Sequence, residues 1–324
     1  MPEMTIIQSL NHTLHEEFAR DERLISFGED AGAFGGVFRV TEGLQEKFGE
    51  ERVFDTPLAE QGIVGFAIGI AQNGLKPICE IQFADYIFPA YDQIVNEMAK
   101  MRYRTANQYS APVVIRTPCG GGIHGGHYHS QSPAAQFLHT PGLIVICVSG
   151  PYDAKGLLTA AIECNDPVLF FEPKRIYRSV KEEVPLERYT IPIGKADLAR
   201  QGKDITLIGW GAQHHQNMAA AEELAQEGID VEVLNLRTLN PLDEPAIVAS
   251  VQKTGRCVVA DEAPKTMSFA AEIAATIMEK CFLSLEAPVE RCCGLDTPFP
   301  HTLEHEYLPD AYKVRQAVID TLEY

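Results

Sequence analysis

The chain has 324 residues, 45% hydrophobic and 22% charged, with a formal net charge of -18 and a pI near 5.0. That length accommodates one large domain or two ordinary ones with a sizeable core. The acidic balance excludes a nucleic-acid or anionic-membrane partner, which would need clustered Lys and Arg to displace counterions, and leaves room for a basic protein partner.

The cysteines at 79, 119, 147, 164, 257, 281, 292 and 293 are scattered, several within apolar runs such as Val145-Ile-Cys-Val148. They read as reduced core residues of a cytosolic protein. No Cys-x-x-Cys occurs, and the adjacent pair Cys292-Cys293 is poorly placed to bridge, so a structural zinc site is not expected. The first residues lack a basic start followed by an apolar block, and no run approaches the roughly 18 apolar residues of a membrane span. A soluble, cytoplasmic protein is the expectation.

Along the chain, Ile6, Ile7, Leu10, Leu14 and Phe18 recur at helical spacing, predicting an amphipathic first helix. Leu24 to Gly28 reads as a short buried strand. Glu29 to Phe38 packs three glycines between acids and aromatics and is either a functional loop or a close-packed turn. A short helix is expected at 41–48.

The stretch Asp55-Thr-Pro-Leu-Ala-Glu60-Gln-Gly-Ile-Val-Gly65 then leads into an apolar helix. Pro57 discourages helix before it, and Gly62, Gly65 and Gly69 leave one helix face as bare backbone that another element can approach. Taken alone, Glu60 is either a partner for the helix dipole or a partly buried functional carboxylate.

Lys76 to Phe83 is strand-like, with Glu80 and Gln82 alternating against Ile and Phe. Ala84 to Met101 reads as one long helix. Ala111 to Arg116 is a second strand, leading into Thr117 to Pro133, a loop with five glycines and His124, His127 and His129. The histidines lack the His-x-x-x-His spacing of a helix-borne metal motif, and acid/base or hydrogen-bonding work suits them better. Gly142 to Ser149 and Pro167 to Glu172 are further strands around a helix at 152–164.

This alternation predicts an α/β layer with a parallel sheet over residues 1–180. Residues 181–200, rich in charge and proline, read as a connecting segment. Residues 201–324 repeat the strand–helix alternation as a second, smaller α/β domain. Gly209-Trp-Gly211 lacks the third glycine of a dinucleotide fingerprint, and no Walker A sequence is present.

Asp55-Thr-Pro-Leu-Ala-Glu60, Glu80-Ile-Gln-Phe-Ala-Asp-Tyr-Ile-Phe88, Tyr128-His-Ser-Gln-Ser-Pro133, Phe170-Phe-Glu-Pro-Lys174, Leu236-Arg-Thr-Leu239 and Leu295-Asp-Thr-Pro-Phe-Pro300 stand in this order along the chain. Together they resemble the β subunit of the thiamine-diphosphate-dependent 2-oxo acid dehydrogenases, the E1 component. The resemblance spans essentially the whole chain. His-Ser-Gln-Ser-Pro and Asp-Thr-Pro-Phe-Pro-His are most similar to the branched-chain members, and the pyruvate and acetoin enzymes share much of the pattern.

The resemblance implies a pyrimidine-binding α/β domain followed by a transketolase C-terminal-type domain, and an α2β2 heterotetramer with the cofactor at the α/β interface. It implies that an α chain holds the diphosphate and Mg2+, and no Gly-Asp-Gly…Asn motif for that purpose occurs here. Carried over by motif, Glu60 hydrogen-bonds N1′ of the aminopyrimidine, and Leu58, Gln82 and Tyr86 pack around that ring, Tyr86 by stacking. His129 faces the substrate and the incoming lipoyl group. A monovalent cation site, K+ in branched-chain members, maps near Ala111, Val113, Val114, Ala161, Cys164 and Asp166, where the side chains differ from the family's.

The implied activity is oxidative decarboxylation of 2-oxo acids with reductive acylation of a lipoyl group on the E2 acyltransferase, whose subunit-binding domain docks on the C-terminal domain. A non-catalytic assembly subunit and a nicotinamide dehydrogenase are the alternatives. The presence of both Glu60 and His129 weighs against the first, and the missing glycine fingerprint against the second.

Overall fold

A computed structural model describes all 324 residues. The first part of the chain, to residue 180, holds strands β1 (Glu3–Thr5), β2 (Leu24–Gly28), β3 (Val53–Asp55), β4 (Lys76–Glu80), β5 (Val114–Cys119), β6 (Ile144–Cys147) and β7 (Val168–Pro173). The second holds β8 (Lys181–Glu183), β9 (Asp197–Arg200), β10 (Ile205–Gly209), β11 (Val231–Asn235), β12 (Thr238–Asn240), β13 (Cys257–Pro264) and β14 (Glu290–Gly294).

A seven-stranded sheet has the order β12-β6-β7-β5-β4-β2-β3, and a five-stranded sheet the order β14-β13-β10-β11-β9. Within each, only the edge strands β12 and β9 run antiparallel. Helices cover the parallel strands, as buried apolar runs such as Val168 to Phe171 require. No helix is long and apolar enough to cross a membrane. All eight cysteines are free thiols.

The two α/β units are not independent. β12 comes from the second half of the chain yet pairs with β6 of the first sheet, Thr238 opposite Ile146. One apolar cluster joins Phe27, Leu169 and Phe171 to Trp210, Leu234, Cys257 and Phe269. The 181–200 stretch is more ordered than its composition suggests: β8 pairs with β1, and β9 edges the second sheet. Strands of three and four residues are too short to show a period.

The expected long helix at 84–101 is broken. Ala84–Tyr86 and Phe88–Ala90 are 3-10 turns, Gln93–Met98 is π-helical, with Ala99 N–H bonding the Ile94 carbonyl at 3.0 Å, and Met101–Arg104 is a single α turn. Pro89 supplies no N–H and restrains Phe88, which explains the interruption.

The helix after Pro57 runs Glu60–Gln72. Its glycine face is open at both ends and covered only in the middle: a Cβ on Gly69 would meet open space and one on Gly62 only Ala59 at 3.7 Å, whereas one on Gly65 would stand 3.4 Å from Gln93 Oε1. Intrachain packing of that face is therefore confined to Gly65. Gly62 and the half-exposed Phe66 instead line an open groove of about 340 Å³ with Phe54, Asp55, Pro57 and Ile63.

Candidate active site

In the first sheet the chain leaves β2 for β3 on one side and returns to β4 on the other, so strand order reverses at β2. Ligands of open α/β sheets bind beyond the carboxyl ends at such a reversal. Glu29, Gln82 and, from the loop after β3, Glu60 emerge there. Gly28 permits it, since a Cβ at that position would lie 2.5 Å from the Glu80 carbonyl oxygen.

Glu60 is the first residue of its helix and is buried, and no side-chain cap precedes it at Ala59. Both readings of Glu60 thus apply at once, because it stands in the first turn of the helix and is also largely removed from water. Glu29 is buried too, and its Oε1 finds no partner in the chain. Its carboxyl is pushed up to about 7, first by burial and then by the negative charges of Glu60 and Asp30. The Gln82 amide donates to the Glu29 carbonyl at 3.4 Å and to Asp30 Oδ2 at 3.1 Å, so Gln82 is held at the same edge.

Tyr86 and His129 form the other wall. The Tyr86 hydroxyl lies 2.7 Å from His129 Nε2, and His129 Nδ1 lies 3.3 Å from the Gly125 carbonyl oxygen. A carbonyl only accepts, so Nδ1 carries the proton, and Nε2 of the singly protonated ring accepts from Tyr86. Phe83 meets the His129 ring edge-on at 4.7 Å. Burial and the carboxylates of Asp85, Glu29 and Glu60 raise the Tyr86 phenol, so both walls share one field.

Four of the five expected site residues, Glu60, Gln82, Tyr86 and His129, therefore converge. Tyr86 is engaged by His129 through its hydroxyl. Leu58 stands apart, 80% exposed on the loop before Glu60. His124 turns to the second domain, with Nδ1 3.3 Å from the His301 carbonyl oxygen, and His127 packs on Tyr128.

The sequence does not single out Glu29, whose loop reads equally as a functional loop or a close-packed turn. Nothing local distinguishes it from Asp30; only the approach of Glu60 across the strand reversal does. Also unanticipated is Arg116, fully buried behind the site. It bonds Glu80 Oε2 at 2.9 Å and Glu172 Oε2 at 2.9 Å, and Tyr177 donates to Glu172 Oε2 at 2.5 Å.

The six positions mapped for a monovalent cation lie at the opposite, amino-terminal end of β5 and β7. The Ala111, Val113 and Ala161 carbonyls each accept a backbone N–H and retain a second lone pair. Asp166 is committed to Arg102, whose Nε lies 2.6 Å away. No group of three or more His, Cys, Asp and Glu side chains is placed to hold a metal ion.

Residues 2–180 match the transketolase pyrimidine-binding domain family and residues 194–314 the transketolase C-terminal domain family. The chain is 55% identical to the 2-oxoisovalerate dehydrogenase subunit beta, mitochondrial, of Dictyostelium discoideum, over 99% of this chain and 87% of that protein. The chain belongs to the 2-oxo acid dehydrogenase β-subunit family. It is also 48% identical, over 100% of each chain, to the pyruvate dehydrogenase E1 component subunit beta of Staphylococcus epidermidis. Among solved structures, an inactive split-gene transketolase β4 tetramer shares the fold with a TM-score of 0.80 and 23% identity, over 99% of each chain. The parallel-sheet architecture and the two paired units are thus of the transketolase type.

Proposed function

We propose that this chain is the β half of a thiamine-diphosphate-dependent E1 component that decarboxylates branched-chain 2-oxo acids and passes the acyl group to lipoyl groups of an E2 acyltransferase. The observation that carries the reading is the Glu29–Glu60 carboxylate pair, buried without a cation and facing the Tyr86–His129 pair. The residues suit an aminopyrimidine. Glu60 offers a buried carboxylate for a ring nitrogen, Glu29 Oε1 and Thr56 Oγ1 have no partner in the chain, and Leu58 offers an exposed apolar side chain. Thiamine diphosphate, bound there, supplies the electron sink that cleavage beside a 2-oxo carbon requires.

Glu60 would hydrogen-bond ring nitrogen N1′ and favour its protonation by setting a carboxylate against the positive charge formed there. Glu29, whose carboxyl is pushed up to about 7 first by burial and then by the charges of Glu60 and Asp30, limits the negative charge around that bond. Gln82 fixes the edge of the site. Tyr86 holds the His129 ring toward the space where a substrate and lipoyl group meet, and His129 moves or holds a proton there during acyl transfer.

The site is open on the side of Leu58 and Phe66, which supports completion by an E1 α subunit in an α2β2 heterotetramer, with Mg2+ and the diphosphate held by that subunit. For K+, the carbonyls of Ala111, Val113 and Ala161 are the donors we retain, and Asp166 is set aside because Arg102 neutralises it. The acidic charge of -18 suits a basic subunit-binding domain of E2. Eight free thiols suit a cytoplasmic protein.

Pyruvate is the second substrate reading, on the strength of the 48% identical pyruvate dehydrogenase relative. Co-expression with a cognate α chain and assay against pyruvate and a panel of branched-chain 2-oxo acids tests the proposal. Branched-chain acids are expected to lead in kcat/KM by about tenfold or more, the scale on which an apolar pocket discriminates added carbons. Preference for pyruvate would replace the substrate, and failure to decarboxylate any 2-oxo acid would sink the reading.

A further inference from the structure

The Leu295-Asp-Thr-Pro-Phe-Pro300 motif belongs to the second domain, and nothing in the site explains it. In the fold it lies against the glycine- and histidine-rich loop that carries His129. A Cβ on Gly121 would stand 2.5 Å from the Phe299 ring, and one on Gly126 would stand 3.7 Å from His301 Cβ.

Two carboxylates of the same domain complete the contact. Glu262, on β13, accepts from the Gly121 N–H at 2.5 Å. Glu304 accepts from Gly122 N–H and, through its other oxygen, from His124 N–H at 2.8 Å. The Glu304 side chain is 4% exposed, so these charge-assisted bonds form away from water, where they are strongest. Only glycine serves at 122, where φ is +92° and a Cβ would lie 2.6 Å from Arg175.

At the other end of the loop, Asp85 Oδ1 accepts from Ser130 N–H at 3.1 Å and Gln131 N–H at 3.0 Å. Between the two anchors lies Gly125, whose carbonyl receives His129 Nδ1–H. The orientation of the imidazole therefore depends on a carbonyl suspended between a carboxylate of the first domain and a carboxylate of the second.

We propose that Glu304, assisted by Glu262, is a positioning residue: the second domain sets the His129 ring for acyl transfer by gripping the backbone N–H groups of Gly121, Gly122 and His124. The inference rests on the reading of His129 as the group serving acyl transfer. It assigns the second domain a role in the chemistry of the first without a side chain that touches substrate. Phe299 and His301 form the apolar and backbone backing of the same grip.

The test uses the assembled α/β enzyme with Glu304→Gln, Glu304→Ala and His129→Ala. Three quantities are measured: reductive acylation of a free lipoyl domain, 2-oxo-acid-dependent reduction of an artificial electron acceptor, and amide hydrogen exchange across 119–131. Glutamine keeps one acceptor oxygen and turns an NH2 group toward the second amide, so Glu304→Gln is near-isosteric and carries the test should Glu304→Ala fail to assemble.

Glu304→Gln is expected to lower lipoyl acylation about tenfold, to leave dye reduction within about twofold, and to speed exchange only at 121–130, on the scale of a misplaced positioning group. A wild-type acylation rate in Glu304→Gln while His129→Ala is impaired overturns the grip and leaves the His129 reading standing. Equal losses of acylation and dye reduction reduce Glu304 to a structural role and also overturn it. A wild-type acylation rate in His129→Ala removes the His129 reading and the inference with it.

Discussion

Two sets of buried carboxylates sit at the carboxyl ends of neighbouring strands, and the fold treats them oppositely. Behind the site, Glu80 and Glu172 share Arg116, with Tyr177 donating a further hydrogen bond, so a guanidinium between two acids ties β4, β5 and β7 together. At the strand reversal, Glu29 and Glu60 approach each other with no cation between them, and the Glu29 carboxyl rises to about 7. A paired buried charge costs desolvation and returns it as Coulombic attraction and hydrogen bonds. An unpaired one keeps its cost and expresses it as proton affinity, the form in which a catalytic or cofactor-binding group uses it. The sheet thus separates a closed ionic brace from an open edge whose carboxylates lack a cation, within one layer.

The sharpest way to break this contrast is at Glu60. Glu60→Gln in the reconstituted α/β enzyme should lower decarboxylation about 10²-fold or more, the range for loss of a positioned acid/base group, with assembly unchanged. Near-wild-type turnover measured in that variant would place Glu60 with the structural acids.

Arg116→Met attacks the other side. Removing the guanidinium leaves Glu80 and Glu172 buried without their cation, which should cost roughly 3–5 kcal/mol of stability, read from the denaturant midpoint at constant slope. A loss below about 1 kcal/mol, the ordinary value of an exposed pair, would show that the brace is replaceable.

Glu29→Gln has the smallest expected effect and tests whether Glu29 carries the raised proton affinity. Glu29 binds a proton more tightly folded than unfolded, so the wild-type protein loses stability as pH climbs from the ordinary carboxylate range through about 7 and levels off above it. Glutamine carries no titrating proton, so the drop in Tm between pH 6 and pH 8 should shrink in the variant. An unchanged drop would mean that Glu29 does not bind its proton more tightly in the folded protein.

Much of this was legible in residues alone. Pro57 and the apolar run after it announce the Glu60 helix, and Val114 to Arg116 and Val168 to Phe171 announce buried parallel strands. The long helix at 84–101 was not legible in its true form, because its apolar spacing suits an α-helix while Pro89 interrupts the hydrogen-bond ladder. The short strands β8, β9 and β12 were hidden for a different reason: each is completed by a partner far away in the chain.

Of the candidate site, Gln82, Tyr86 and His129 are expected through the family resemblance that their motifs carry, and the fold brings them to one edge with Glu60. Glu29, Glu262 and Glu304 are not singled out in that way. A carboxylate's surroundings are set by what the fold brings within a few ångströms, and for Glu304 that is a loop some 180 residues earlier. By itself, then, the order of residues determined the alternation of strand and helix, the acidic character and the chemistry-bearing loops, since these depend on neighbours along the chain. Which acids are paired and which are left to bind protons, and which domain holds His129, was decided only in three dimensions, because Coulombic and desolvation energies depend on distance and burial rather than on sequence separation.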